Sequence, residues 1–131
     1  MIDLQSLKLP HAHQAISFTL DRKLADTYGH VFELGNNKWP LTMSSGAFAG
    51  MFKLLHQFEV DWTRLLHVGQ SFEYRQSFEL PCPVHALSQL AKVRSRAGMH
   101  WLTFENLLWD APMKNILIYA QSTILIQAGE A

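Results

Sequence analysis

The chain has 131 residues, of which 48% are apolar and 17% charged, and its eleven basic and eleven acidic side chains balance. That length suits one domain with its own core, 1–131, and a balanced charge with no basic run beyond Arg22-Lys23 disfavours nucleic acid and anionic membrane surfaces as partners. Cys82 is the single cysteine, which excludes a disulfide framework and suits a reducing cytoplasm.

Residues 1–14 are expected to form an irregular arm without the charged start and apolar block of a signal peptide. It ends in His11-Ala12-His13, and two histidines are too few to hold a metal, so neither metal nor cofactor is expected. Ile16, Phe18 and Leu20 alternate with polar residues, the pattern of a short strand. Asp21 then suits the N-cap of a helix over 22–34, where Leu24, Tyr28, Val31 and Phe32 recur at helical spacing. Gly35-Asn36-Asn37 supplies the stop, because Gly and Asn tolerate the left-handed conformation.

The next helix, from Ser44 or Ser45 to about Gln57, is apolar or small at nearly every position, which predicts burial on all sides. Gly46, Ala49 and Gly50 imply that another backbone approaches closely, since each glycine otherwise costs about 1 kcal/mol of helix propensity. A long half-buried strand follows over 67–80, with Val68, Phe72, Tyr74, Phe78 and Leu80 on the apolar parity. His67 begins it, on the polar parity with Gly69, Ser71 and Glu73.

Pro81-Cys82-Pro83 ends that strand, and Val84–Arg94 and Met99–Trp109 form a hairpin around Arg96-Ala97-Gly98. A turn over 110–115 leads into a last strand, Ile116–Gln127. One buried helix followed by four long strands predicts an α+β hot-dog fold, a curved antiparallel sheet wrapped around a central helix. Such folds usually dimerise by joining two sheets edge to edge, so a homodimer, or a heterodimer with a related hot-dog chain, is expected.

Three segments resemble the MaoC-like hydratase/dehydratase family, most closely its motif-poor N-terminal repeat. They are Leu66-His67-Val68-Gly69-Gln70-Ser71-Phe72-Glu73-Tyr74-Arg75, Trp39-Pro40-Leu41-Thr42 at the helix entry, and the closing run from Ile118 to Ile126. The resemblance covers about residues 16–127 and implies binding of an acyl thioester, on CoA or an acyl carrier protein. Active members of the family carry Gly-Asp-x-Asn-Pro-aliphatic-His before the helix, and the Asp and His activate water for hydration of an enoyl thioester. Here, with one inserted residue, the loop is Gly35-Asn36-Asn37-Lys38-Trp39-Pro40-Leu41-Thr42. Asn36 stands for the acid and Thr42 for the base; an amide accepts no proton at neutral pH, and a lone threonine hydroxyl is a poor base. The usual catalytic pair is therefore missing.

A second resemblance, to hot-dog acyl-CoA thioesterases, rests on Asp26-Thr27-Tyr28-Gly29-His30-Val31 and would give His30 or Asn36 a role near the attacking water. The segment fits a helix better than a loop, however, and Asn36-Asn37 begins five residues after Val31 instead of directly following it. The start of the central helix is the other candidate. Its free N–H groups at Ser45, Gly46 and Ala47 could polarise a thioester carbonyl without any particular side chain, as the resemblance implies. Plain N-capping explains Ser44-Ser45 equally. His67 completes the expected binding set, against the alternative of a hydrogen-bonded surface histidine. Cys82, between two prolines, is expected to be inert, and the four tryptophans to serve the core or a dimer contact.

Overall fold

The computed structural model describes residues 2–12, 15–20, 48–76, 78 and 81–127. The expected helix over 22–34 and the start of the central helix at 44–47 lie outside the described residues.

The N-terminal residues carry more order than an irregular arm. Asp3 accepts from the backbone N–H of Gln5 and caps a 3-10 turn over Leu4–Ser6, which buries Leu4 in the core. The backbone N–H of Ile2 donates to the carbonyl of Phe58 at 3.0 Å. Strands β1 (His11–Ala12) and β2 (Ile16–Leu20) then run along one edge of β4 (Cys82–Arg96), with His11 opposite Leu90 and Ile16 opposite Ala86.

Helix α1 (Ala49–Gln57) is amphipathic rather than buried all round. Met51, Leu54 and Leu55 are buried, whereas Phe52 is 51% exposed and packs on the ring of Trp62, 6.5 Å away. Apolar composition alone did not reveal this, because an exposed aromatic pair can cover itself. Gly50 fulfils its expected role: a Cβ there would lie 3.0 Å from the backbone nitrogen, Cβ and Oγ of Ser88. The helix therefore touches the sheet at β4 through a residue without a side chain.

Strands β3 (Leu65–Tyr74), β4, β5 (Met99–Asp110) and β6 (Ile116–Gln127) form one antiparallel sheet with β1 and β2, in the order β1-β4-β5-β6-β3. Only β4, β5 and β6 meander; β3 pairs with β6 at the far edge. Ala97 and Gly98 both have positive φ, at 53° and 76°, which gives the β4–β5 hairpin a tight two-residue turn. At the β5–β6 turn, the Asp110 carboxylate accepts from the backbone N–H of Lys114 and Asn115 and from the Asn115 side-chain amide. Desolvation pushes the Asp110 carboxyl up, but these hydrogen bonds outweigh it and hold the group below the ordinary carboxylate range.

The core lies between α1 and the inner face of the sheet. Met51, Leu54, Leu55 and Phe58 pack against Leu90, Leu102, Phe104, Ile124 and Ile126. A second cluster, with Leu20, Val84, Ala86, Leu108 and Ile118, fills the other end of the same face. Among the described residues, no helix is long and apolar enough to cross a membrane.

Candidate functional site

Strand β3 is shorter at its C-terminal end than its sequence pattern, stopping at Tyr74, and its alternation is broken by a bulge between His67 and Gly69. Val68 is the extra residue. Before it, His67 lies opposite Ile124; after it, Gln70, Phe72 and Tyr74 lie opposite Ser122, Ala120 and Ile118. All four partners are buried inner-face residues of β6. One inserted residue shifts a period-2 pattern by a full side. His67 therefore does not share the outer, polar side with Ser71 and Glu73, as the alternation implied, but stands on the inner side with Gln70 and Phe72.

The bulge thus gathers a patch at the sheet edge beside the entry to α1. The ring of Phe48, the residue before α1, lies 5.5 Å from Phe72 and meets the imidazole of His67 edge-on at 6.4 Å. Phe72 in turn stacks on Tyr74 at 6.5 Å. Phe48 is buried, but Phe72 and Tyr74 are exposed, so part of this aromatic surface is open.

Behind the patch, a band of polar side chains crosses the inner face, with one residue from each of four adjacent strands. Ser88 Oγ on β4 donates to Asn106 Oδ1 on β5 at 2.6 Å, and Asn106 Nδ2 donates to Ser122 Oγ on β6 at 3.0 Å. Ser122 Oγ donates onward to Gln70 Oε1 on β3 at 2.8 Å, and the same oxygen faces His67 Nε2 at 2.9 Å. Ser88, Asn106 and Ser122 are fully buried, so satisfying their polar groups is a structural demand. His67 Nε2 also lies 3.0 Å from the carbonyl oxygen of Gly69.

Of the sequence-predicted site residues, the structure describes His67 alone. His30, Asn36, Thr42, Ser45, Gly46 and Ala47 lie outside the described residues. Gln70 and the Ser88-Asn106-Ser122 band were missed. The available signal was a single polar residue on the apolar parity of three strands, but pairing across the sheet was needed to align them. Burial, helped by the Asp110 charge, raises the Cys82 thiol above its ordinary value, which disfavours a reactive thiolate. His11 lies against the Phe58 ring at 5.7 Å, and no cluster of three metal-ligating side chains occurs among the described residues.

No protein-family model and no curated protein matches the sequence. Solved structures are similar to it in fold. One is the C-terminally truncated HadBC (3R-hydroxyacyl-ACP dehydratase) complex from Mycobacterium tuberculosis, with a TM-score of 0.73 at 13% identity, covering 89% of this chain and 94% of that one. An (R)-hydratase from A. caviae involved in PHA biosynthesis gives 0.64 at 12% identity, covering 92% and 97%. A MaoC-like dehydratase gives 0.71 at 17% identity; the match covers 92% of this chain and 42% of that longer one. At these identities the likeness is one of fold. It shows the expected α+β hot-dog arrangement and carries the resemblance to MaoC-like chains from short segments to the whole architecture.

Proposed function

We propose that this chain is a MaoC-like hot-dog protein that binds acyl thioesters, on CoA or an acyl carrier protein, as the non-catalytic partner of an enoyl hydratase or 3-hydroxyacyl dehydratase. The observation that carries this reading is the patch at the β3 edge, where the rings of Phe48, Phe72 and Tyr74 adjoin the hydrogen-bonded pair His67–Gln70. Apolar surface with a few convergent polar groups is what an acyl chain with a polar head requires. Asn36 and Thr42, where the resemblance would require an acid and a base, support a binding role over hydration. Ser45 to Ala47, which the sequence reading places at the entry to the central helix, are the proposed donors to the thioester carbonyl.

The purified protein is expected to be stabilised thermally by butyryl-CoA while hydrating crotonyl-CoA no faster than a buffer control. Hydration at an enzyme's ordinary rate would refute the reading of Asn36 and Thr42. Release of CoA thiol, lost on His30→Ala, would favour a thioesterase. Silence in all three assays would leave a structural or regulatory hot-dog module.

The proposed partner is a second hot-dog chain joined along β3. That strand pairs only with β6 among the described residues, and its Leu66 and Val68 are 60% and 46% exposed. An open edge with apolar side chains invites another strand. Light scattering on the protein alone is expected to give a dimer, and Leu66→Lys with Val68→Lys to give a folded monomer. A monomeric parent protein that remains monomeric when mixed with a related chain carrying the intact Asp and His would count against this edge.

A further inference from the structure

We propose that the Gly69 carbonyl and the buried polar band, which ends in Gln70, together set the hydrogen-bonding polarity of His67, making it the residue that selects acyl ligands bearing a hydroxyl. This rests on the acyl-binding reading and adds to it a specificity-determining role for His67 and a positioning role for Gln70.

The argument is one of proton placement. His67 Nε2 lies 3.0 Å from the Gly69 carbonyl oxygen, which can only accept, so Nε2 carries a hydrogen. The Gln70 atom facing that N–H at 2.9 Å must then be its oxygen. From the other side every donor runs the same way: Ser88 to Asn106, Asn106 to Ser122, and Ser122 to Gln70. Two donors thus converge on Gln70 Oε1, and neither the amide nor the imidazole can turn over without leaving a polar group unpaired. Neutral imidazole with hydrogen on Nε2 keeps its lone pair on Nδ1. That atom has no hydrogen-bond partner among the described residues, and His67 is exposed beside the open aromatic surface. The structure therefore presents an acceptor, held in one orientation through four strands, next to the surface proposed for the acyl chain. A hydroxyl can donate to it, and an unsubstituted acyl chain cannot.

The test compares butyryl-CoA with 3-hydroxybutyryl-CoA by calorimetry, alongside long-range proton–nitrogen spectra of protein labelled with nitrogen-15 histidine. The ligand-free protein is expected to show His67 with hydrogen on Nε2, its signal assigned by loss in His67→Ala. The hydroxylated ligand is expected to bind about fivefold more tightly, the size of one net hydrogen bond. His67→Ala should bring the two affinities together while butyryl-CoA still binds. Gln70→Met, which leaves the Gly69 carbonyl as the remaining acceptor for Nε2–H, should narrow the difference, whereas Gln70→Glu, which keeps an acceptor oxygen, should retain the full preference. Melting curves identify any variant that fails to fold. Equal binding of both ligands by the parent protein overturns this inference and leaves acyl binding standing. Hydrogen on Nδ1 in the free protein, or a preference undiminished in folded Gln70→Met, also overturns it. Failure of either ligand to bind overturns the acyl-binding reading and this assignment together.

Discussion

Asn106→Leu is expected to destabilise the protein by about 2–4 kcal/mol, measured by urea or thermal unfolding. The side chain is fully buried and uses both ends, accepting from Ser88 and donating to Ser122. Leucine fills the space but deprives two buried hydroxyls of the groups they meet. The loss of two net hydrogen bonds alone would be about 2 kcal/mol, and the remainder is the desolvation of groups left short of partners. Adding Ser88→Ala and Ser122→Ala removes those groups and should recover part of the loss, because an apolar inner face has nothing left to satisfy. A single leucine variant as stable as the parent would mean that the band contributes nothing to folding. The triple variant separates stability from binding: if the band serves His67 by holding Gln70, it should fold and yet show a weaker preference for the hydroxylated ligand.

The second large effect is expected at Gly50. Helix propensity by itself predicts that Gly50→Ala stabilises α1 by about 1 kcal/mol. Contact predicts the opposite. The new methyl would meet Ser88 at 3.0 Å, including a backbone nitrogen inside a paired strand, which cannot yield as a flexible side chain would. Overpacking of this kind costs about 1–3 kcal/mol, so net destabilisation is expected, and a larger side chain such as valine should be worse. Denaturant titration decides the sign. The same substitution presses on the first residue of the polar band, so a weaker ligand preference should accompany the lost stability. A stabilised Gly50→Ala would show that the helix can lift from β4 freely.

These two positions illustrate how differently the sequence displays its structure. Gly50 was legible: a glycine amid small residues in a helix costs propensity, and a close backbone approach is the ordinary reason to keep one. Asn106 was not. It sits on the apolar parity of β5 between Phe104 and Leu108, and only the pairing with β4 and β6 reveals that neighbouring strands place serines beside it. His67 was legible as a residue type and misplaced as a position. Strict alternation put it on the outer face, and one bulged residue moved it inward. Phe52 misled in the opposite sense, since its apolar character predicted burial that its place on α1 does not provide.

The sequence alone therefore determined three features: a helix of small and apolar residues, a tight hairpin at Ala97-Gly98, and long alternating strands, while the turn at Leu4–Ser6 and strand β1 escaped it. Periodicity and turn chemistry are local, and local rules suffice for them. It also determined that Asn36 and Thr42 are neither acid nor base, since that is a matter of side-chain chemistry. Tertiary structure alone decided that β3 pairs with β6, that Val68 bulges, and that polar residues from four strands align behind His67. Those facts depend on pairing between residues as much as 61 positions apart, as Leu65 and Ile126 are. A one-residue change of register reverses every side chain beyond it, so no reading along the chain fixes them.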